Sequence, residues 1–543
     1  MQAEQLPATV VNFINELKTN HEQQIQEIKS HYEQQLGIMQ TSIREYQNNY
    51  LQIKERYDLL VFKRFARSAE QLPADANQPL LFAEEAAQRA TDEPTPSEDT
   101  VDVPSGELTA VASYQRKKAG RQALDPAIPR EERIVDLPES EKTCACGAAL
   151  SKIGEESNEK LHIVPPRMYV EKTIRPKYAC RKCEGAEDEG KPAVRLMPVE
   201  PAIIPRSIAS PSLLSYIIVH KYEDHLPYYR QEKQFERIGV TISRQDMANW
   251  QQHVYAKLKP LFALLQATLK SGPVLQMDET TVQVMGEEGR EDTQKSYMWL
   301  ARGGPPRQTV VLYNYRPTRA AYHAKDLLAG YSGYLQTDGY EAYDKAVRDL
   351  PGIVHVGCFA HARRYFFEAS KASKKPQSAE EGVKYIRKLY VIENEMRAQY
   401  KDAELVTERK KRAEPILAEF REWLLKRSVE VPPSLLLGKA IGYSLSQWDK
   451  MTAYLESSYL TPDNNACENA LRPFVLGRKN WLFNKSPEGA ESSCGMFSLI
   501  ETAKQNGLVP LHYLTALFER VPFAVSATDW EKLLPWNILT PEN

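Results

Sequence analysis

The first regular pattern along the chain is a heptad-like spacing of apolar residues over residues 10–62, a stretch with no proline and one glycine, Gly37. From Leu36 onward the steps between apolar positions alternate between three and four, which is the spacing of a coiled-coil seam. Glu, Gln and Lys fill many of the other positions, so such a helix has little else to bury. We therefore predict a self-associating coiled coil. The alternative is a long helix that packs on its own protein.

Residues 207–255 also have helical periodicity, which is interrupted by a bend at Gly239. Ser243 stands where it can cap the next helix. Two helices joined in this way resemble a helix-turn-helix, which would bind DNA through its second helix. The polar side chains expected on that helix are Arg244, Gln245 and Asn249. An ordinary pair of packed helices is the alternative.

The apolar period then changes to two, which predicts β-strands. The predicted strands cover residues 274–284, 296–301, 309–315, 333–340 and 353–358, and a helix covers residues 320–328. The resulting order is three strands, helix, strand, short helix, strand. That order is typical of an α/β sheet that starts with an antiparallel hairpin. Residues 375–455 have a helical pattern with an apolar face and form a predicted insertion.

Two of these strands carry an aspartate, Asp278 and Asp338. An acid within a buried strand is costly unless it is paired or binds a metal. With a third acid, the pair could hold two Mg²⁺ ions. Glu468, in the early turns of a helix that Asp463 can cap, is the leading candidate, and Glu501 is the alternative. Acids in strands also serve as salt-bridge partners or caps.

Composition narrows the class of protein. The 543 residues suggest three or four domains, and 42% apolar residues suffice for a large core. The net charge of −2 excludes a uniformly basic coat protein. Apolar runs are too short for a membrane span, and the first residues lack the pattern of a signal peptide. We therefore expect a soluble, cytoplasmic protein without a membrane partner.

Local charge adds a linker and a basic arm. Residues 83–110 contain eight acids, one base and three prolines, which is typical of a segment that cannot order itself. A short basic arm follows at once: Arg116, Lys117, Lys118 and Arg121. We expect it to contact DNA phosphates, and a solvated charge run is the alternative.

Two close cysteine pairs follow the arm, Cys144 with Cys146 and Cys180 with Cys183. Two such pairs joined by strand-like sequence are typical of a zinc ribbon, in which four thiolates bind a structural Zn²⁺. The single residue between Cys144 and Cys146 is a tighter spacing than usual. Unliganded thiols are the alternative, whereas disulfides are not expected in a reducing compartment.

Five ordered motifs resemble the transposases of the insertion-sequence-66 family. They are Leu-Gln-Met-Asp278-Glu-Thr, Leu-Gln-Thr-Asp338-Gly-Tyr, Gly-Cys358-Phe-Ala-His361-Ala-Arg-Arg, Asp463-Asn-Asn-Ala-Cys-Glu468 and Gly477-Arg-Lys-Asn-Trp-Leu-Phe483. The coiled segment, the basic arm and the cysteine pairs are similar too. The resemblance implies a ribonuclease-H-like α/β catalytic domain, interrupted by a helical insertion, with a DDE triad at Asp278, Asp338 and Glu468.

The family's activity implies a transposase that binds the ends of its element, cleaves them and joins the 3′-hydroxyl ends to target DNA. The three acids would hold catalytic Mg²⁺ (or Mn²⁺). The implied partners are double-stranded DNA, further copies of the chain through the coiled coil, and small accessory proteins of the same element. The alternatives are a two-metal nuclease that cuts without joining, a catalytically silent zinc-containing DNA-binding regulator, and a coiled-coil assembly subunit.

Several further residues gain a role from their place beside the triad. The basic side chains expected to meet DNA phosphates are Arg363, Arg364, Arg472, Arg478 and Lys479, with surface salt bridges as the alternative. Cys358 and His361 are expected to pack and hydrogen-bond near the site, since a second metal site would need two more ligands. Trp481 could stack on a base, but a core position is the favoured interpretation.

The predicted architecture is a multidomain α+β chain. Its parts are a coiled-coil helix (1–64), an acidic linker and basic arm (65–125), a zinc-ribbon DNA-binding domain (126–200), a helical DNA-binding region (201–268), the first part of the catalytic domain (269–374), the helical insertion (375–455), the second part of the catalytic domain (456–505) and a C-terminal helical tail (506–543).

Overall fold

The computed structural model describes residues 8–65, 168–179, 194–372 and 376–538. The chain forms two compact units, one of residues 1–93 and 200–543 and the other of residues 94–199. In the described part of the smaller unit, β1 (Lys177–Ala179) pairs antiparallel with β2 (Val194–Leu196). The four cysteines and the four basic-arm residues predicted to bind zinc and DNA lie outside the described residues.

The predicted coiled-coil segment is one continuous helix, α1 (Ala8–Phe65), of 58 residues. Most of its large apolar side chains are exposed. Its last turns contact other helices of the same unit. Gln52 Nε2 donates to the carbonyl of Ser434, in the predicted helical insertion, at 3.2 Å. Lys63 pairs with Glu368 at 2.7 Å. The alternative of packing on its own protein therefore holds for the end of this helix, while self-association of the exposed part stays a prediction.

A group of four helices precedes the central sheet. They are α2 (Pro211–Tyr222), α3 (Tyr228–Arg237), α4 (Arg244–Lys257) and α5 (Lys259–Ser271). The turn between α3 and α4 includes Gly239 at φ 81°, a backbone conformation that glycine adopts without strain. Ser243 caps α4, since its hydroxyl accepts a hydrogen bond from Asp246 N at 3.1 Å. The bend and cap predicted here are therefore present.

A six-stranded mixed sheet forms the centre of the larger unit. Its strands are β3 (Val274–Val284), β4 (Lys295–Gly303), β5 (Val310–Arg316), β6 (Gly333–Gln336), β7 (Ile353–Val356) and β8 (Phe483–Asn484). The order across the sheet is β5-β4-β3-β6-β7, with β8 beside the last residues of β3. The first three strands are antiparallel neighbours, whereas β6, β7 and β8 join by parallel pairing.

Two predicted strands end earlier than expected. The strand predicted over residues 353–358 ends at Val356, and the strand predicted over residues 333–340, which includes Asp338, ends at Gln336. Pairing stops there because the last partner in β7 is Val356, which lies opposite Gln336. Asp338 is therefore on the turn beyond the strand, just before α7 (Glu341–Arg348). The helix predicted before this strand is α6 (Ala321–Leu328).

The helical insertion has an apolar core of its own. Helix α8 (Phe359–Ala372) leads into α9 (Gln377–Gln399), α10 (Asp402–Glu430), α11 (Leu436–Ser446) and α12 (Trp448–Thr452). Leu389, Met396 and Phe420 of the predicted apolar face are buried in this core. Val274 of β3 and Tyr334 of β6 pack against it, so the insertion and the sheet are in contact.

The chain then returns to the sheet through α13 (Asn465–Trp481), α14 (Pro487–Gln505), α15 (Pro510–Arg520) and α16 (Ala527–Glu531). Helix α14 closes the free edge of β5, because Thr502 Oγ1 accepts from Val311 N at 3.0 Å. Ser498 Oγ accepts in the same way from Tyr313 N at 2.9 Å. An edge covered in this way is protected from pairing with another strand.

Candidate active site

Strand pairing brings the first two acids to the same edge of the sheet. Strands β3 and β6 are parallel, and Gln276 lies opposite Gln336. The two glutamine side chains are joined by a hydrogen bond of 2.9 Å. Asp278 and Asp338 each follow two residues later, so both lie just beyond this last shared position. Parallel register, and not sequence proximity, is what brings the two carboxylates together.

Asp278 and Glu279 are neighbours in β3 but have different surroundings, because successive side chains of a strand point to opposite faces. The carboxylate of Glu279 is buried, pairs with Arg319 and accepts a hydrogen bond from the hydroxyl of Tyr343. Arg319 in turn lies over the ring of Tyr340, 3.6 Å from its centroid. Asp278 Oδ1 accepts a hydrogen bond from the backbone N–H of Glu279 at 2.8 Å.

The third acid, Glu468, is in the first turn of α13. The start of this helix is fixed by Asn464, which is 1% exposed. Asn464 Nδ2 donates to the carbonyl of Met277, the residue before Asp278, at 3.0 Å. Its backbone N–H donates to Cys358 Sγ at 3.3 Å. A side chain from the segment that follows the insertion is thus hydrogen-bonded to β3 beside the first acid.

Cys358 and His361 surround Glu468 from α8 and the turn before it. His361 Nε2 donates to Glu468 Oε1 at 3.0 Å, and the Arg364 guanidinium lies 3.8 Å from Oε2. Ligand atoms of Cys358, His361 and Glu468 all lie within 4.8 Å of one another. A second metal site at Cys358 and His361 would need two more ligands, and the fold brings one candidate, Glu468, there from more than a hundred residues away.

The electrostatic surroundings of Asp278 and Glu468 differ. Burial, followed by the charges of Glu279, Glu468 and Asp338, raises the pKa of Asp278 well above its usual range. Burial also acts on Glu468, but the hydrogen bond from His361 and nearby positive charges outweigh it and lower the pKa of that carboxylate. Burial and the neighbouring negative charges therefore disfavour ionisation of Asp278, and a divalent cation would relieve this repulsion.

The predicted basic residues are distributed around the site. Arg478 Nη1 donates to Thr281 Oγ1 at 2.9 Å, which anchors α13 to β3 three residues beyond Asp278. Arg364 and Arg472 are close enough to Glu468 to lower its pKa. Burial raises the pKa of Tyr390, and the charge of Arg363 opposes that shift. Lys479 and Arg244 are exposed. Several of these side chains thus have protein contacts before any DNA is bound.

The alternative third acid is elsewhere. Glu501, on α14, is 3% exposed and pairs with Lys504 at 3.0 Å. Trp481 packs against the main core, where it contacts Tyr222 and Phe497. The sequence indicates Asp463 and the asparagines after it as candidate helix caps, but it gives no signal for the contact of Asn464 with β3 or for the pairing around Glu279, because these join distant elements.

Comparison with known families decides the identity. Residues 206–492, more than half of the chain and the part that contains all three acids, match the model of the Transposase IS66 family. The chain belongs to the IS66 transposase family. Residues 141–184, with the four predicted zinc ligands, match the zinc-finger binding domain of transposase IS66. Residues 498–536 match the IS66 C-terminal element, and residues 52–133 match a model described as Transposase C of IS166 homeodomain.

Relatives of this IS66-family chain include three uncharacterized proteins of Sinorhizobium fredii. Protein y4jD is 32% identical over 447 residues, which cover 80% of this chain and 85% of the relative. Protein y4qI is 33% identical over 450 residues (79% and 81%), and y4hP is 30% identical over 461 residues (82% and 81%).

No described helix of the chain has an apolar stretch long enough to cross a membrane.

Proposed function

We propose that this IS66-family chain cleaves the ends of its insertion element and joins the freed 3′-hydroxyl ends to target DNA. The observation that carries the proposal is the group formed by Asp278, Asp338 and Glu468. Three separate elements supply these acids, and the charges of Glu468 and Asp338 add to burial and to the charge of Glu279 in raising the pKa of Asp278. Structural ion pairs do not need such repulsion, whereas metal-dependent phosphoryl transfer does.

We also infer that the catalytic sheet is ribonuclease-H-like. The inference is supported by an antiparallel run of β3, β4 and β5, followed by parallel pairing of β6 and β7 on the other side of β3. The acids then lie on the central strand, on the turn that follows its parallel neighbour and on a helix that returns after the insertion.

The donor set fits Mg²⁺ or Mn²⁺, because three carboxylates offer the oxygen ligands that these hard cations prefer. Asp278, Asp338 and Glu468 would hold the ions. When bound, such ions activate a water or a 3′-hydroxyl and stabilise the leaving oxygen. The hydrogen bond from His361 orients the ionised carboxylate of Glu468. The carboxylate of Glu279 is engaged by Arg319 and Tyr343 and is therefore not proposed as a metal ligand.

Binding of DNA is assigned to several parts of the chain. The zinc finger would use Cys144, Cys146, Cys180 and Cys183 for its structural Zn²⁺, and the preceding basic arm would contact phosphates. Helix α4 would present Arg244 to DNA, and Arg363, Arg364, Arg472, Arg478 and Lys479 would contact the backbone near the acids. The exposed part of α1 would associate with further copies, and small proteins of the same element are further candidate partners.

The proposal is tested with labelled duplexes that carry the two boundaries of the element, incubated with the full chain and Mg²⁺. Cleavage at the boundary with joined products is expected for the wild type. It should be lost in Asp278→Asn and Glu468→Gln and retained in Glu501→Gln, which changes a buried acid outside the group. Cleavage that survives Glu468→Gln would show that the third acid is wrong.

Two other results would favour the remaining candidate functions. Cleavage without joined products, at every target concentration, would indicate a nuclease. Binding of the boundaries without cleavage, in Mg²⁺ and in Mn²⁺, would indicate a regulator that has no catalytic activity.

A further inference from the structure

A lysine without an acidic partner lies at the end of α2. The ammonium of Lys221 is 3.9 Å from the centroid of the Tyr228 ring, 5.1 Å from that of Tyr222 and 5.7 Å from that of Trp481. Within residues 8–65, 168–179, 194–372 and 376–538, no carboxylate lies at ion-pair distance from this ammonium. We call these three rings the aromatic cup. They belong to α2, α3 and α13, so three separate elements form it.

The cup is held in place by buried hydrogen bonds. The hydroxyl of Tyr222 donates to Gln251 Oε1 at 2.7 Å, and the hydroxyl of Tyr228 donates to the same oxygen. Gln251 Nε2 donates to Ser492 Oγ at 2.7 Å. The two tyrosine rings cannot turn away without breaking these bonds. The cup is therefore preformed for a cation.

This arrangement is unfavourable for the isolated protein. Burial lowers the pKa of Lys221 to about 7, because the rings compensate only part of the hydration that the ammonium has lost. A buried charge with a strongly lowered pKa is a candidate functional position. Lys221 as a whole residue is partly exposed, so the ammonium and its rings lie near the protein surface.

We propose that Lys221 binds a phosphate of the DNA that is engaged by the three acids. This inference rests on the proposed function. Helix α13 connects the two places, since Glu468 is in its first turn and Trp481 is its last residue. At 1.5 Å per residue the helix spans about 20 Å between them. That length corresponds to about six nucleotides of a DNA strand, at 3.4 Å each.

The neighbourhood selects phosphate over a protein carboxylate. Basic residues Arg472, Arg478 and Lys479 lie on α13 between Glu468 and Trp481. Lys221 adds a further cation beside Trp481, at the end of this helix. Several cations distributed over about 20 Å match the repeated phosphates of a strand better than a single acidic side chain does.

Proton linkage provides a second signature. The titratable groups that face the ammonium are the phenols of Tyr222 and Tyr228, and burial raises the pKa of each, so both stay neutral. A bound phosphate would raise the pKa of Lys221, so binding takes up a proton above pH 7. Affinity for DNA should therefore fall as pH rises from 7 to 8.5.

The experiment measures binding of a fluorescent element-end duplex to the full chain by anisotropy, at several salt concentrations. Lys221→Met should lower the slope of log affinity against log salt by about 0.9, the value for one phosphate contact. Lys221→Arg should keep the slope and lose the dependence on pH. The matched control is Lys233→Met on α3, since Lys233 is exposed and paired with Glu236 at 2.8 Å. It should leave the slope unchanged.

The outcomes separate this inference from the proposed function. A wild-type slope that survives in Lys221→Met, with unchanged affinity, overturns the phosphate contact while the transposase proposal stands. If Lys221→Met does not fold, a wild-type pH dependence that persists in Lys221→Arg overturns the inference in the same way. Absence of DNA binding by the wild type overturns both.

Discussion

Replacing Arg409 by methionine is expected to loosen the contact between the insertion and the segment that carries Glu468. Arg409 is 0% exposed and its guanidinium lies 2.8 Å from the carboxylate of Glu393, which is 4% exposed. It also donates to the carbonyls of Tyr454 and Ser457, at 2.8 Å and 2.9 Å. These carbonyls belong to the chain that continues toward the third acid.

Breaking a buried ion pair by removing one partner costs about 3–5 kcal/mol, because the remaining charge is left without compensation. Glu393 keeps a second partner in Arg397, so the lower part of that range applies here. We expect Arg409→Met to reduce the opening free energy of α9 and α10 by about 3–4 kcal/mol. At 1.4 kcal/mol per tenfold, this is a loss of protection of roughly 100- to 1,000-fold.

Hydrogen exchange measured by mass spectrometry reports this opening locally, peptide by peptide. The control is Arg412→Met, which removes an exposed ion pair between the same two helices. Arg412 lies 2.7 Å from Glu395, with the side chains 44% and 45% exposed. Such a pair contributes about 1 kcal/mol or less. Equal loss of protection in the two variants would refute the reasoning from burial.

Two further changes test the surroundings of Asp338 and of the neighbouring helix α7. In Gly339→Ala the new Cβ would lie 2.6 Å from the ring of Tyr443, so the ring or the turn after Asp338 must shift. We expect the turn to move and DNA cleavage to slow by on the order of 10- to 100-fold. Gly442→Ala, with no atom within 4 Å, should leave the cleavage rate unchanged, and equal rates in the two variants would contradict this account. Hydrogen bonds, first that from His355, lower the pKa of Asp344 to about 2. The ionised carboxylate therefore contributes about 2 kcal/mol to the free energy of unfolding above pH 4, and this contribution is lost as pH falls through about 2. Denaturation against pH should show Asp344→Asn less stable than wild type at pH 7 and equal to it near pH 2, and a gap that persists at pH 2 would refute the assignment.

The elements with strong local signals were predictable from the sequence. Strand β3 and the hairpin that follows it have a period of two and turn residues, and both are present. The cap at Ser243 follows from local chemistry in the same way. The membership of Asp338 in a strand was wrong, since the end of β6 depends on where its neighbour β7 ends.

The contacts between distant elements were not predictable. Asn464 joins α13 to β3, and Lys221 enters a cup whose rings come from three helices. No periodicity or spacing reports such contacts, because the residues are separated by up to 260 positions in the chain. The end of α1 shows a different limit, since the same apolar spacing serves for self-association and for packing on the chain's own helices.

The central claim is that Asp278, Asp338 and Glu468 hold a divalent cation while Glu279 does not. The most direct test is the binding of Mn²⁺ to the full chain, counted by electron paramagnetic resonance in the presence of Zn²⁺. We predict that Asp278→Asn loses this binding. Glu279→Gln should retain it, because the carboxylate of Glu279 is already engaged by Arg319 and Tyr343. Retention of Mn²⁺ by Asp278→Asn together with its loss in Glu279→Gln would contradict the account.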